Sequence, residues 1–276
     1  MPYRHAHWWV LACLGVILLG FWPSYWSQAG SARWEFHLHG AVATVWVIMV
    51  ATQSWSIHHK KRALHRATGQ SSLYLFPFLT MGLMGIGMVN AERVVAGGDP
   101  FIALYGDTFF LGLWPAIGAY LVLYYNALKH RRKVWAHSAY LLGTPMILFE
   151  SPASRAIGNN IPFFRIEGPA DFANILHTIM ITDAMMVALA LVLWWRARER
   201  SNAFAVVAAF IIAQMVLMSV GYYLVDLDSW VVAFAGLGTP MALAMGFVAG
   251  AAASWLGWQA GKTPQRVGPP GALAAE

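Results

Sequence analysis

Of the 276 residues, 59% are hydrophobic and only 11% charged, against roughly a quarter charged in soluble globular chains; a soluble enzyme, a disordered chain and a nucleic-acid binder are excluded. The net charge of +6 does not bring nucleic acid back, because the positive residues gather on alternate loops between apolar segments. The single cysteine, Cys13, excludes disulfides, thiolate zinc sites, iron–sulfur clusters and CxxCH haem attachment.

A bilayer core of roughly 30 Å takes about 20 apolar residues per helix. Eight stretches qualify: 8–26, 38–57, 71–89, 109–127, 134–149, 172–195, 203–225 and 229–255. The first lacks a small-residue cleavage site and carries Trp and Tyr at its far end, so it is expected to be retained as a helix. The fifth is the shortest. Between the spans, 90–108 and 150–171 are the longest connections, each with Gly and Pro and each too short to fold alone. Gly246 and Gly250 in the eighth span form a GxxxG pattern suited to close helix packing.

Charge sets the orientation. Fourteen of the 18 Lys and Arg residues lie at the N-terminus, in every second loop and at the C-terminus, beside only two acids, Glu199 and Glu276. The other loops hold Arg33, Arg93, Arg155 and Arg165 against nine acids. By the positive-inside bias, both termini are expected in the cytoplasm. The expected fold is therefore all-α: a polytopic membrane helical bundle of eight transmembrane helices. It forms one domain over residues 1–260, followed by a Pro/Gly/Ala-rich, disordered cytoplasmic tail over 261–276.

Polar groups inside the membrane are costly and mark candidate sites. In the second span His39, Trp46 and Gln53 recur every seven residues, about 700° of helix and so nearly one face. That stripe reads either as a bundle-facing seam or as a ligand surface. His177 lies at a similar depth in the sixth span, and Asp183 six residues deeper needs a proton, a partner or water. His39, His177 and Glu150 could together form a small N/O cluster for a metal or haem. They are expected to line one exterior cavity, with Glu150 near its mouth.

On the basic side, Lys60-Lys61-Arg62 precedes His65, and Arg131-Arg132-Lys133 precedes His137. Three readings compete. The triplets suit anionic lipid headgroups; His65 and His137 could share a metal or haem, against the repulsion of nearby cations; or the cations could hold a phosphate or a haem propionate.

Phe21-Trp22-Pro23-Ser24-Tyr25, His37-Leu38-His39-Gly40, Trp46, Gln53, Leu64-His65-Arg66, Gly69 and the later His137 resemble the pattern of an uncharacterised family of bacterial polytopic membrane proteins. The likeness covers about residues 21–150. That group is in turn distantly similar to cytochrome b561-like proteins, whose bundles hold haem between paired histidines. The resemblance implies a bacterial inner-membrane bundle and permits a haem b. Two-haem cytochromes place ligand histidines about thirteen or fourteen residues apart on one helix, roughly 20 Å. Here Gln53 stands fourteen after His39, so a single haem at most is expected, between His39 and His177 or between His65 and His137. Two functions from different classes follow. One is a haem- or metal-binding redox protein with a histidine-lined site. The other is a non-enzymatic membrane protein, either a small-solute or proton pathway through His39, Asp183 and His177 or an assembly partner.

Overall fold

The computed structural model describes residues 2–220, 223 and 227–262. All of its regular structure among the described residues is helical, with no strand. The long elements are α1 (Ala6–Phe21), α2 (Trp34–His58), α3 (Arg62–Ala96), α4 (Pro100–Lys129), α5 (Val134–Asn160), α6 (Asn174–Ala197), α7 (Ala203–Val220), α8 (Leu227–Ala235) and α9 (Thr239–Ala260). Among the described residues six segments are long and apolar enough to cross a membrane: α2, α3, α4, the stretch Pro169–Ala197 that contains α6, α7 and α9. With 16 residues, α1 is about 24 Å long. Glu150 and Arg155 interrupt the apolar run of α5.

Several expected boundaries move, each for a local reason. The first span ends at Phe21, just before Pro23. α3 and α4 run on until only Gly97, Gly98 and Asp99 separate them. Both glycines have positive φ (65° and 84°), and the Asp99 carboxylate caps α4 by accepting from the Phe101 and Ile102 N–H groups. α5 does not stop at Phe149 but continues through Pro152 to Asn160. The eighth span is broken: α8 ends at Ala235, and α9 restarts after Gly238 (φ 75°) with Pro240 in its first turn. The far end of the seventh span, Leu224 and Val225, and all but the first two residues of the expected tail lie outside the described residues.

Contacts sort the loops to two ends. At one, the His58 ring faces the Pro2 carbonyl at 3.1 Å, Arg131 donates to the Trp258 carbonyl at 2.8 Å and Arg200 lies 4.2 Å from the centre of the Trp135 ring. The N-terminus, the α2–α3, α4–α5 and α6–α7 loops and the close of α9 thus meet at one basic end. At the other, Arg33 pairs with Glu92 at 2.7 Å, Thr239 donates to Glu92 at 3.0 Å and Asn159 donates to the Gly20 carbonyl at 3.1 Å. That is the acidic end.

α3 is the central helix, packed on α2, α4, α8 and α9. Its closest neighbour is α9, and the reason is glycine. A methyl group on Gly246 would sit 2.6 Å from the Thr80 carbonyl, and one on Gly250 2.7 Å from the Pro77 Cα. With both positions bare, the Thr80 hydroxyl reaches the Gly246 carbonyl at 2.7 Å. Close backbone approach with a polar contact across it is how small residues join helices where lipid supplies no hydrophobic drive.

Candidate functional site

The structure brings His65 and His137 together, with ring centroids 6.4 Å apart and planes nearly perpendicular. Each ring is aimed by a backbone carbonyl. His65 Nδ1 lies 3.2 Å from the Gln53 carbonyl, and His137 Nδ1 lies 2.8 Å from the Ala127 carbonyl. A carbonyl can only accept, so each Nδ1 carries the proton and each Nε2 is left with its lone pair. No hydrogen bond engages either Nε2 among the described residues. Gln53 holds this turn of α3 in place, its amide donating to the His65 carbonyl at 2.9 Å and to the Thr68 hydroxyl.

The two rings help line a cavity of about 190 Å³ at the basic end, walled by α2, α3, α5 and the N-terminal Pro2-Tyr3. Tyr3, at φ 57°, packs edge-on against Trp135 and Phe204, and its buried hydroxyl has no partner among the described residues. Burial pushes that hydroxyl up to about 12, against the pull of Arg200, so Tyr3 stays a neutral donor at physiological pH. His58 also lines the cavity, but both its nitrogens face carbonyls, of Ser54 and of Pro2. Among the described residues no three His, Cys, Asp or Glu side chains are grouped to hold a metal. What the cavity offers is two imidazoles, one phenol and the Arg131 side chain on its wall.

The remaining basic-end cations divide. Lys60, Lys61, Arg62, Arg132 and Lys133 are exposed. Arg131 is half-buried and docks α9, its guanidinium 4.3 Å from the Trp258 ring centre.

The stripe on α2 faces the bundle, with Trp46 fully buried and Gln53 nearly so. Trp46 donates to the Thr144 hydroxyl at 2.9 Å and packs on Phe76 and Tyr124. Tyr124 in turn bonds Ser72 at 2.7 Å. Trp46 is therefore a joint between α2, α3, α4 and α5. His39 backs against Gly82 of α3, with a buried Nδ1 that finds no hydrogen-bond partner among the described residues.

His39, His177 and Glu150 are not gathered into one site. His177 is exposed on α6, which packs on α5 and α7, whereas α2 packs chiefly on α3 and α1. Because α5 extends ten residues past Glu150, that carboxylate lies about 15 Å inside the acidic end of its helix and not at a cavity mouth. There Glu150 accepts from Ser154 at 3.3 Å and from Gln214 of α7 at 3.4 Å. Asp183 is 1% exposed, has an Oδ2 with no hydrogen-bond partner among the described residues and lies in electrostatic range of Glu150. Sequence reasoning missed Gln214, although an amide in so apolar a helix was itself a signal. Tyr3 carried none.

Comparison with known protein families, curated proteins and solved structures finds no match to this chain.

Proposed function

We propose that the protein crosses a bacterial inner membrane eight times, with its basic end in the cytoplasm, and holds one transition-metal ion between His65 and His137. α1 and α5 make the seventh and eighth crossings. This reading is supported by contacts at both ends of each: Pro2 and Gly20 flank α1, and His137 and Asn159 lie near the two ends of α5. The exposed Lys60, Lys61, Arg62, Arg132 and Lys133 meet anionic headgroups on the cytoplasmic side.

The observation that carries the site is the imidazole pair with both Nδ1 atoms committed to carbonyls. Two metal–nitrogen bonds of about 2 Å, plus a ring radius on either side, place two ligand centroids roughly 6 Å apart; the observed separation is 6.4 Å. Carbonyl-bound imidazoles are the usual second-shell arrangement of metal-ligating histidine. The same donors suit a haem, but pockets for drug-sized ligands run to about 300–1,000 Å³, and the cavity here is about 190 Å³. The volume favours a bare ion over a macrocycle. The surrounding cations favour a singly charged ion, and imidazole suits copper, so Cu(I) is the expected occupant. Tyr3 supplies a neutral hydrogen-bond donor beside it.

Titration of the purified protein with Cu(I) against a colorimetric chelator, and separately with Zn(II) and hemin, tests this. One Cu(I) per chain should bind, and His65→Ala and His137→Ala should each abolish it. A Soret band with hemin that depends on both histidines would replace the ion with haem. Binding of neither, or binding indifferent to both substitutions, overturns the site.

A second reading, a proton pathway, is favoured by Asp183, whose buried carboxyl oxygen beside Glu150 finds no donor among the described residues. An isolated ionised carboxylate at that depth costs several kcal/mol, so this pair holds a proton. Asp183→Asn should remove a protonated-carboxyl band from the infrared spectrum and abolish pH-driven proton uptake in vesicles. An unchanged spectrum ends this reading.

A further inference from the structure

We propose that a second cavity, at the acidic end and across the bundle from the histidines, binds a small oxyanion through Arg155. This cavity has a volume of about 290 Å³ and lies between the last turns of α5, the following loop and the first turn of α6. Arg155 and Arg165 are the charged side chains that line it; no carboxylate does. That is unexpected at an end whose loops otherwise carry mostly acids.

Arg155 is held without an ion pair, although the Glu150 carboxylate lies within electrostatic range. Its guanidinium lies 5.1 Å from the centre of the Phe21 ring, and Nη1 donates to the Ser151 carbonyl and hydroxyl, both at 2.8 Å. The ion pairs among the described residues join Arg33 to Glu35 and Glu92, and Arg93 to Asp99; none includes Arg155. Glu150, five residues back on the same helix, is engaged with Ser154 and Gln214. Nε and Nη2 make no hydrogen bond among the described residues, which leaves a fork of donors of the shape that a carboxylate or phosphate accepts.

Two further features favour negative charge in this space. Asn174, Ile175 and Thr178 place the N-terminal turn of α6 on its wall, and that end of a helix carries partial positive charge. Asn159 contributes an amide with one donor tied to the Gly20 carbonyl, while the Asn174 amide donates to the Phe163 and Arg165 carbonyls and offers its oxygen side. At roughly 30 Å³ per water molecule, the volume admits an anion of several heavy atoms with its remaining hydration. A phosphate on a lipid headgroup and a phosphate or carboxylate free in solution present the same chemistry to Arg155.

The test uses the full chain, delipidated in an uncharged maltoside detergent. Calorimetric titration with sodium phosphate, sodium acetate and dihexanoyl phosphatidylglycerol, against chloride controls, should show saturable binding of at least one anion. Loss of charge-assisted hydrogen bonds should weaken that binding about tenfold or more in Arg155→Gln and less in Arg155→Lys. His65→Ala should leave it intact, which separates this site from the metal site. Binding of the lipid analogue alone identifies a headgroup; binding of phosphate or acetate identifies a soluble anion. If Arg155→Gln does not fold, anion-dependent thermal stabilisation of the wild-type protein and of Arg155→Lys supplies the same comparison. No saturable binding to wild type, or equal binding to Arg155→Gln and Arg155→Lys, overturns the proposal.

Discussion

Replacing Arg33 by leucine is expected to destabilise the protein by about 3–5 kcal/mol, because it strands a buried carboxylate. Glu35 is 2% exposed, and Arg33 grips both its oxygens, Nε to Oε2 at 3.1 Å and Nη2 to Oε1 at 2.6 Å. The third arm, Nη1, reaches Glu92 at 2.7 Å, whose other oxygen accepts from Thr239. One guanidinium therefore ties the α1–α2 loop and α2 to α3, and through Glu92 to α9. The Glu35 and Glu92 hydrogen bonds raise the pKa of Arg33 further above its already high value, so the cation persists at every accessible pH. Unfolding in a mixed-micelle denaturant series measures the loss. The sharper comparison is Arg33→Leu with Glu35→Leu, since removing both charges leaves nothing stranded and should recover most of the stability. Glu92→Ala alone, at a half-exposed pair, should cost only about 0–1 kcal/mol. An Arg33→Leu protein as stable as wild type, or a double variant no better than the single, would sink the argument.

Trp46→Ala should cost a similar amount, about 3–5 kcal/mol, because a fully enclosed indole leaves a cavity that four packed helices cannot close. Trp46 is 0% exposed, lies 5.3 Å from Phe76 and 5.2 Å from Tyr124 between ring centroids and donates to Thr144. Trp46→Phe keeps most of the ring contacts and loses that hydrogen bond, so it should cost about 1 kcal/mol. Neither change touches the wall of the His65–His137 cavity. Cu(I) affinity measured well below the unfolding temperature should therefore stay near the wild-type value for Trp46→Phe. A selective loss of binding with stability intact would return Trp46 to the list of functional residues.

Much of this protein is legible one-dimensionally, because membrane crossing is a local constraint. Length, apolarity and the alternation of basic and acidic loops depend on each segment alone, and the residues that form helices follow from them. Ends of helices were less legible. Pro152 reads as a breaker in water, yet inside a bundle neighbouring helices and polar side chains satisfy the freed backbone groups, so α5 runs through it. The Gly236-Leu237-Gly238 break has the opposite character: hydropathy is continuous across it, and only the backbone turn at Gly238 divides α8 from α9.

For the sites, spacing along one helix was readable and neighbourhood was not. The seven-residue stripe placed Trp46 and Gln53 on the inner face of α2, where they are. Whether a histidine meets another across the bundle depends on which helices pack together, and apolar faces do not encode that choice, since lipid and protein interiors solvate them alike. His39 and His177 share a depth without sharing a partner. His65 and His137 meet because Gln53 and the Ala127 carbonyl, on helices that neither histidine belongs to, aim the two rings at one cavity. Arg155 falls in a loop by hydropathy, but the fold carries α5 past it and leaves it on the wall of a cavity that no carboxylate lines. Composition determined that this chain lives among helices in a membrane; the pairing of those helices decided which polar groups stand alone and which stand together.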